Sequence, residues 1–69
     1  MLTLRFAVIG LGAFGRRHAV ALRSLAGVEL VAAVDPRGAA APELGGLPVL
    51  RSLDGLLERE LDAAIVAVP

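Results

Sequence analysis

Apolar residues gather in four short runs along the chain, and the segments between them alternate between glycine-rich turns and amphipathic stretches. Leu4 to Ile9, LRFAVI, is mostly apolar and closed by glycine, the pattern of a strand buried on both faces. From the glycine-rich turn onward, Phe14, His18, Ala21, Leu22 and Leu25 recur at helical spacing with Arg16, Arg17 and Arg23 off the stripe. That spacing predicts an amphipathic helix with this stripe toward the core, ended by Gly27 in a C′-like place. Val28 to Val34 is a second strand, stopped by Asp35-Pro36. The stretch DPRGAAAPELGGLP is rich in Gly, Pro and Ala, with a helical turn expected around Ala39–Leu44. Pro48 to Leu50 reads as a short third strand. Ser52 is a suitable N-cap with Asp54 in the first turn, opening a helix to about Glu60 that Gly55 weakens. Ala63 to Val68 is a fourth strand.

This β-α-β-(turn)-β-α-β order predicts an α/β fold with a parallel sheet and right-handed crossovers. The expected architecture is the first half of a Rossmann-type doubly wound sheet, strand order 3-2-1-4. The carboxyl ends of strands one, two and four then share one edge, where Gly10, Asp35 and Pro69 fall.

The glycines at 10, 12 and 15 stand between a strand and a helix, the context that raises Gly-x-Gly-x-x-Gly above a chance match. The first permits a tight turn, the second lets a pyrophosphate approach the backbone, and the third lets the helix pack closely on the sheet. A phosphate would meet free N–H groups and the positive end of the helix dipole. Asp35, twenty residues after Gly15, ends the second strand. A carboxylate there can accept both ribose hydroxyls of an adenosine and would repel a 2′-phosphate. The candidate cofactor-binding residues are Gly10, Leu11, Gly12, Ala13, Phe14, Gly15, Asp35, Arg37, Val68 and Pro69. The expected cofactor is NAD, with NADP an alternative. The competing reading makes the glycines a packing turn and Asp35 an ordinary acid before proline. Arg37 could stack on adenine, hold a 2′-phosphate or stay solvated. His18, on the apolar stripe, is expected to be a packed core histidine rather than a ligand contact. Arg16 and Arg17 are expected on the exposed helix face.

Composition narrows the class. The 69 residues allow one small domain, yet 57% are hydrophobic and mean hydropathy is +0.75, richer than a chain this size needs. The chain therefore reads as an N-terminal fragment of a dinucleotide-binding domain, residues 1–69, with the rest of that domain and a substrate domain elsewhere. Seven arginines balance seven acids, which gives no electrostatic case for nucleic acid or a membrane surface. The uncharged run Phe6–Gly15 is too short to span a bilayer. The lack of cysteine rules out disulfides and thiolate metal sites and accords with a cytoplasmic protein.

The segments RFAVIGLGAFGRRHAVAL, VELVAAVDP and SLDGLLERELDAAIVAVP together resemble the N-terminal half-domain of the Gfo/Idh/MocA oxidoreductases. His18, three places after the last motif glycine, and the strand running to Pro69 are the most telling parts. The family usually carries Thr or Ser just before that proline. Val68 stands here, so a side-chain hydrogen bond to the cofactor from that position is lost. The resemblance implies NAD(P)-dependent hydride transfer at a hydroxyl-bearing carbon of a small-molecule substrate, often a sugar or polyol. It also implies a catalytic lysine in a Glu-Lys-Pro motif after the next strand. The chain contains no lysine, so no catalytic residue is assigned within it. The parent protein is expected to be a homo-oligomer. The alternatives are an FAD enzyme, an S-adenosylmethionine methyltransferase, and a non-catalytic NAD(H)-binding sensor. The closely following SLDGLLERELDAAIVAV disfavours the first. The missing acid in Ala7-Val8-Ile9 disfavours the second.

Overall fold

The computed structural model describes residues 3–38 and 44–67. In chain order the elements are β1 (Leu4–Ile9), α1 (Ala13–Arg23), β2 (Val28–Val34), β3 (Val49–Leu50), α2 (Leu53–Leu57) and β4 (Ala63–Val66). The four strands form one parallel sheet in the order β3-β2-β1-β4, the arrangement expected from the sequence. β1 lies centrally and is buried on both faces, with Ala7 and Val8 fully covered. That burial is why its sequence is an almost unbroken apolar run.

The sheet direction reverses after β3, and this decides which face each connection covers. Moving from β1 to β2 and from β2 to β3 goes one way across the sheet; moving from β3 to β4 goes back. Connections of one hand then place the first two on one face and the last on the other. The packing follows this rule. Ala19 and Leu22 of α1 and Leu44 of the β2–β3 connection pack with Val8 and Ala33 on one face. Leu56 of α2 packs with Ala7, Val31, Ala32 and Val34 on the other. The register between β1 and β2 shifts after Phe6, whose partner is Leu30, while Ala7 pairs with Ala32. Val31 is the extra residue of this irregularity, which lets Val31 and Ala32 join the same cluster.

Several boundaries and one helix face differ from the expectations. α1 buries Gly15, Ala19 and Leu22, not the stripe through Phe14, His18, Ala21 and Leu25. Phe14 is 72% exposed, and Leu25, Ala21 and His18 are exposed too. The helix lies so close to β1 that its inner face accommodates only glycine and alanine at its first two contacts. α1 also stops at Arg23, capped by Ser24, and Gly27 (φ 79°) instead forms the turn into β2. α2 ends at Leu57 rather than near Glu60, because three of the next residues are charged and carboxylates are unfavourable at a helix C-terminus. Ser52 is its N-cap, but its hydroxyl makes no capping bond. β3 omits Pro48, which has no N–H for a ladder. β4 ends at Val66, with Ala67 already outside the strand, and position 68 of the expected 63–68 span lies outside the described residues. The helical turn expected at 39–44 lies outside the described residues except for the buried Leu44.

Among the described residues β4 pairs with β1 on one side only. On this edge strand Val66 is 65% exposed. An open apolar edge of unpaired N–H and C=O groups is a template for strand addition. The 69-residue chain expressed alone is therefore expected to self-associate in light scattering, and Ala64→Lys, which charges that edge, to reduce the association. A monodisperse wild-type monomer with a cooperative melt would contradict this.

Candidate dinucleotide site

The site begins where β1 ends. Gly10 adopts φ 99°, a left-handed conformation that a side chain would strain. Its N–H donates to the Val34 carbonyl at 2.7 Å, pinning the turn to the end of β2. Gly12 follows as the N-cap of α1 with φ −70° and ψ −169°. A Cβ added at Gly12 would meet nothing within 4 Å, so its glycine character answers no packing need within the described residues. Gly15 is the opposite case. A Cβ there would lie 1.8 Å from the Gly10 carbonyl oxygen. Turn geometry thus accounts for Gly10 and close packing for Gly15, while the space beside Gly12 is open.

The first intrahelical bond of α1 is the Arg16 N–H to the Gly12 carbonyl at 3.0 Å. The N–H groups of Gly12, Ala13 and Phe14 lie ahead of it and donate to nothing among the described residues. They face an open cleft together with the positive end of the helix dipole, a setting suited to an anion. The cleft encloses about 780 Å³ and is lined by residues 10–14, His18, Asp35, Pro36, Arg37, Val66 and Ala67. Its volume falls within the usual range for small-molecule and cofactor sites. Among the described residues no cluster of His, Cys, Asp or Glu could hold a metal ion, and no helix is long and apolar enough to cross a membrane.

Asp35 forms the cleft's far wall. It is 2% exposed, and both carboxylate oxygens are occupied. Oδ2 accepts from the Leu11 N–H at 3.0 Å and from Arg37 Nη2 at 3.0 Å. Oδ1 accepts from the Arg37 backbone N–H at 2.9 Å and from Arg37 Nε at 3.1 Å. These bonds from Arg37 hold the Asp35 carboxyl well below the usual carboxylate range, against the opposing effect of burial. The same pair raises the pKa of Arg37. Asp35 therefore also braces the glycine loop, since its bond to Leu11 joins the end of β2 to the turn after β1.

The described candidate residues Gly10, Leu11, Gly12, Ala13, Phe14, Asp35 and Arg37 meet in this cleft, with Gly15 immediately behind it. Val68 and Pro69 lie outside the described residues. Two expectations are corrected. His18 is exposed and lines the cleft instead of packing in the core, because the inner face of α1 runs through 15, 19 and 22. Arg16 is half-buried and folds back to donate from Nε to the Leu11 carbonyl at 3.1 Å, while Arg17 is exposed as expected. Pro36, Val66 and Ala67 were missed. Their position at the carboxyl ends of β2 and β4 was the available signal, since ligands of open α/β sheets bind beyond those ends.

A glycine turn feeding free N–H groups into a cleft, walled by an acid at the end of the next strand, defines an NAD-binding Rossmann domain. The family model described as "oxidoreductase family, NAD-binding Rossmann fold", Gfo/Idh/MocA, matches residues 4–69, and the chain belongs to that family. Two solved structures of scyllo-inositol dehydrogenase from Lactobacillus casei share the fold. The one with bound NAD(H) and scyllo-inositol matches with a TM-score of 0.76 and 24% identity, over 97% of this chain and 22% of that one. The apo form matches with a TM-score of 0.76 and 23% identity, over 99% and 22%. The chain thus spans about a fifth of the length of these structures. A comparison with curated proteins finds no match.

Proposed function

We infer that the chain supplies the first half of the cofactor-binding domain of an NAD(P)-dependent oxidoreductase acting on a hydroxyl-bearing substrate, a sugar or polyol. The observation that carries this reading is the open approach to Gly12 beside N–H groups at the start of α1 that have no partner among the described residues. Gly10 to Phe14 would hold the pyrophosphate, and Asp35 would face the adenosine ribose. The bound nicotinamide would accept or donate the hydride. The scyllo-inositol in the related dehydrogenase supports a polyol substrate, and the polyol itself would be met by residues of a further domain.

The division of labour is testable. The family resemblance implies a catalytic lysine, and the chain contains none, so the acid–base step would fall to residues outside it. The 69-residue chain is expected to oxidise no sugar or polyol with NAD+ or NADP+, while the intact protein binds NAD+ in saturable calorimetric titrations. Turnover by the isolated chain would refute the first statement. An intact protein with no NAD(P) binding up to millimolar concentration would refute the cofactor reading.

A further inference from the structure

The zero net charge of the chain is unevenly divided between the two sides of the sheet. Residues 13–23, which form α1, carry three arginines and no acid. Residues 53–62, which hold α2 and the turn into β4, carry four acids and one arginine. Since α1 and α2 pack on opposite faces, a basic helix covers one side and an acidic segment the other. Each also shows apolar side chains to solvent. On α1, Val20 is 46% exposed and stands three residues from the exposed Arg17. On α2, Leu53 and Leu57 are 50% and 81% exposed. Leu56 is the buried residue of α2, and Asp54 and Glu58 fall about 160° around the helix from it. The outer face of α2 is therefore apolar with an acidic rim, the composition of an interaction surface. Arg17, Asp54 and Glu58 form no ion pair among the described residues.

We propose that the α1 surface of one molecule docks on the α2 surface of a second copy, with Arg17 against the Asp54–Glu58 rim and Val20 and Leu57 in the apolar centre. Symmetric pairings fail on charge, because α1 against α1 opposes arginines and α2 against α2 opposes carboxylates. The two surfaces lie on opposite sides of one molecule, so the contact is heterologous and repeating it stacks copies in a row. Neither surface belongs to the cofactor cleft, which Arg17, Val20 and α2 do not line. Nor does the contact use the open edge of β4.

The test is sedimentation equilibrium of the intact protein and of Arg17→Glu, Glu58→Arg and an equimolar mixture of the two, with Ala64→Lys as the control for pairing along β4. Wild type is expected to gain weight-average mass continuously with concentration. An exposed ion pair is worth a factor of up to about five, and reversing one partner replaces attraction with repulsion of similar size. Each reversal alone should therefore weaken the association about tenfold or more. Mixing the two restores a basic surface for every acidic one, so growth should return to the wild-type level, and Ala64→Lys should leave it unchanged. Thermal melts matching wild type check that the variants fold. Arg17→Gln and Glu58→Gln, which delete charge without reversing it, should weaken association about threefold. Wild type whose mass does not grow with concentration overturns the proposal. So does growth that survives both reversals, growth that mixing fails to restore, or growth that Ala64→Lys abolishes.

Discussion

Gly15→Ala is expected to destabilise the domain and to abolish most cofactor binding, whereas Gly12→Ala is expected to leave stability nearly unchanged and abolish binding alone. The two substitutions add the same methyl group three residues apart, and the structure separates their effects. At position 15 the new Cβ would stand 1.8 Å from the Gly10 carbonyl oxygen and 2.8 Å from its carbon. Both are backbone atoms, so no rotamer change relieves the overlap. Either α1 retreats from β1 by more than an ångström or the Gly10 turn opens. Retreat uncovers Ala19 and Leu22, which pack on Val8 and Ala33. Opening the turn breaks the Gly10–Val34 hydrogen bond. Overpacking of this kind costs about 1–3 kcal/mol, and rigid backbone on both sides places Gly15→Ala at or above the upper end. At position 12 the methyl meets nothing, and φ −70° is ordinary for alanine. A change of N-cap from glycine to alanine costs a few tenths to about 1 kcal/mol. The methyl would, however, sit where phosphate oxygens must approach the N–H groups of Ala13 and Phe14. Denaturant midpoints and NAD+ titrations on both variants decide the matter. A Gly12→Ala protein that binds normally would remove the pyrophosphate from this loop. A Gly15→Ala protein of wild-type stability would show that helix and strand can separate freely.

Gly15 also explains where the sequence misled. The four strands were legible because β1 and β2 are apolar on both faces and end at glycine and at Asp35-Pro36, and their order followed from the alternation with helices. The phase of α1 was not. The larger residues Phe14, Leu22 and Leu25 suggested one stripe, yet close packing selects for the smallest side chains. Gly15 and Ala19 therefore mark the inner face, and Phe14 is left for the cleft. Treating the third glycine as the anchor of the helix phase would have placed His18 correctly. The Asp35–Arg37 pairing was open in the sequence for a different reason. Two residues on either side of a proline can point together or apart. The Asp35–Gly38 turn, closed at Gly38 with φ 61°, brings them together.

Asp35→Asn is expected to reverse the balance between the two cofactors, and it isolates charge from hydrogen bonding. Asparagine keeps an acceptor within reach of the Leu11 N–H, so the loop retains its brace. It loses the negative charge and turns an amide donor toward Arg37. In wild type the carboxylate stands where NADP brings its 2′-phosphate. Two like charges about 4 Å apart repel by roughly 1 kcal/mol in water and roughly 4 kcal/mol at an effective dielectric near 20. Arg37 offsets part of that repulsion while it is paired, and the remainder favours NAD. Removing the charge deletes the repulsion and weakens the acceptor for the ribose hydroxyls at once, so the kcat/KM ratio of NADP to NAD should rise about tenfold or more. Asp35→Ser should shift the ratio the same way, but at a cost in stability, because the short hydroxyl leaves the buried Leu11 N–H unpaired, a loss of about 1–3 kcal/mol. Acid provides an independent check. The Asp35 carboxyl is held below its ordinary value of 3.8 in the folded protein. Its stabilising contribution is therefore complete above about that pH and fades as pH falls toward the folded value. The stability gap between wild type and Asp35→Asn should be constant near neutrality and close on acidification below pH 4. An unchanged cofactor ratio in both variants would remove Asp35 from the ribose site. A gap that persists undiminished in acid would mean that the carboxylate's charge contributes nothing to the fold.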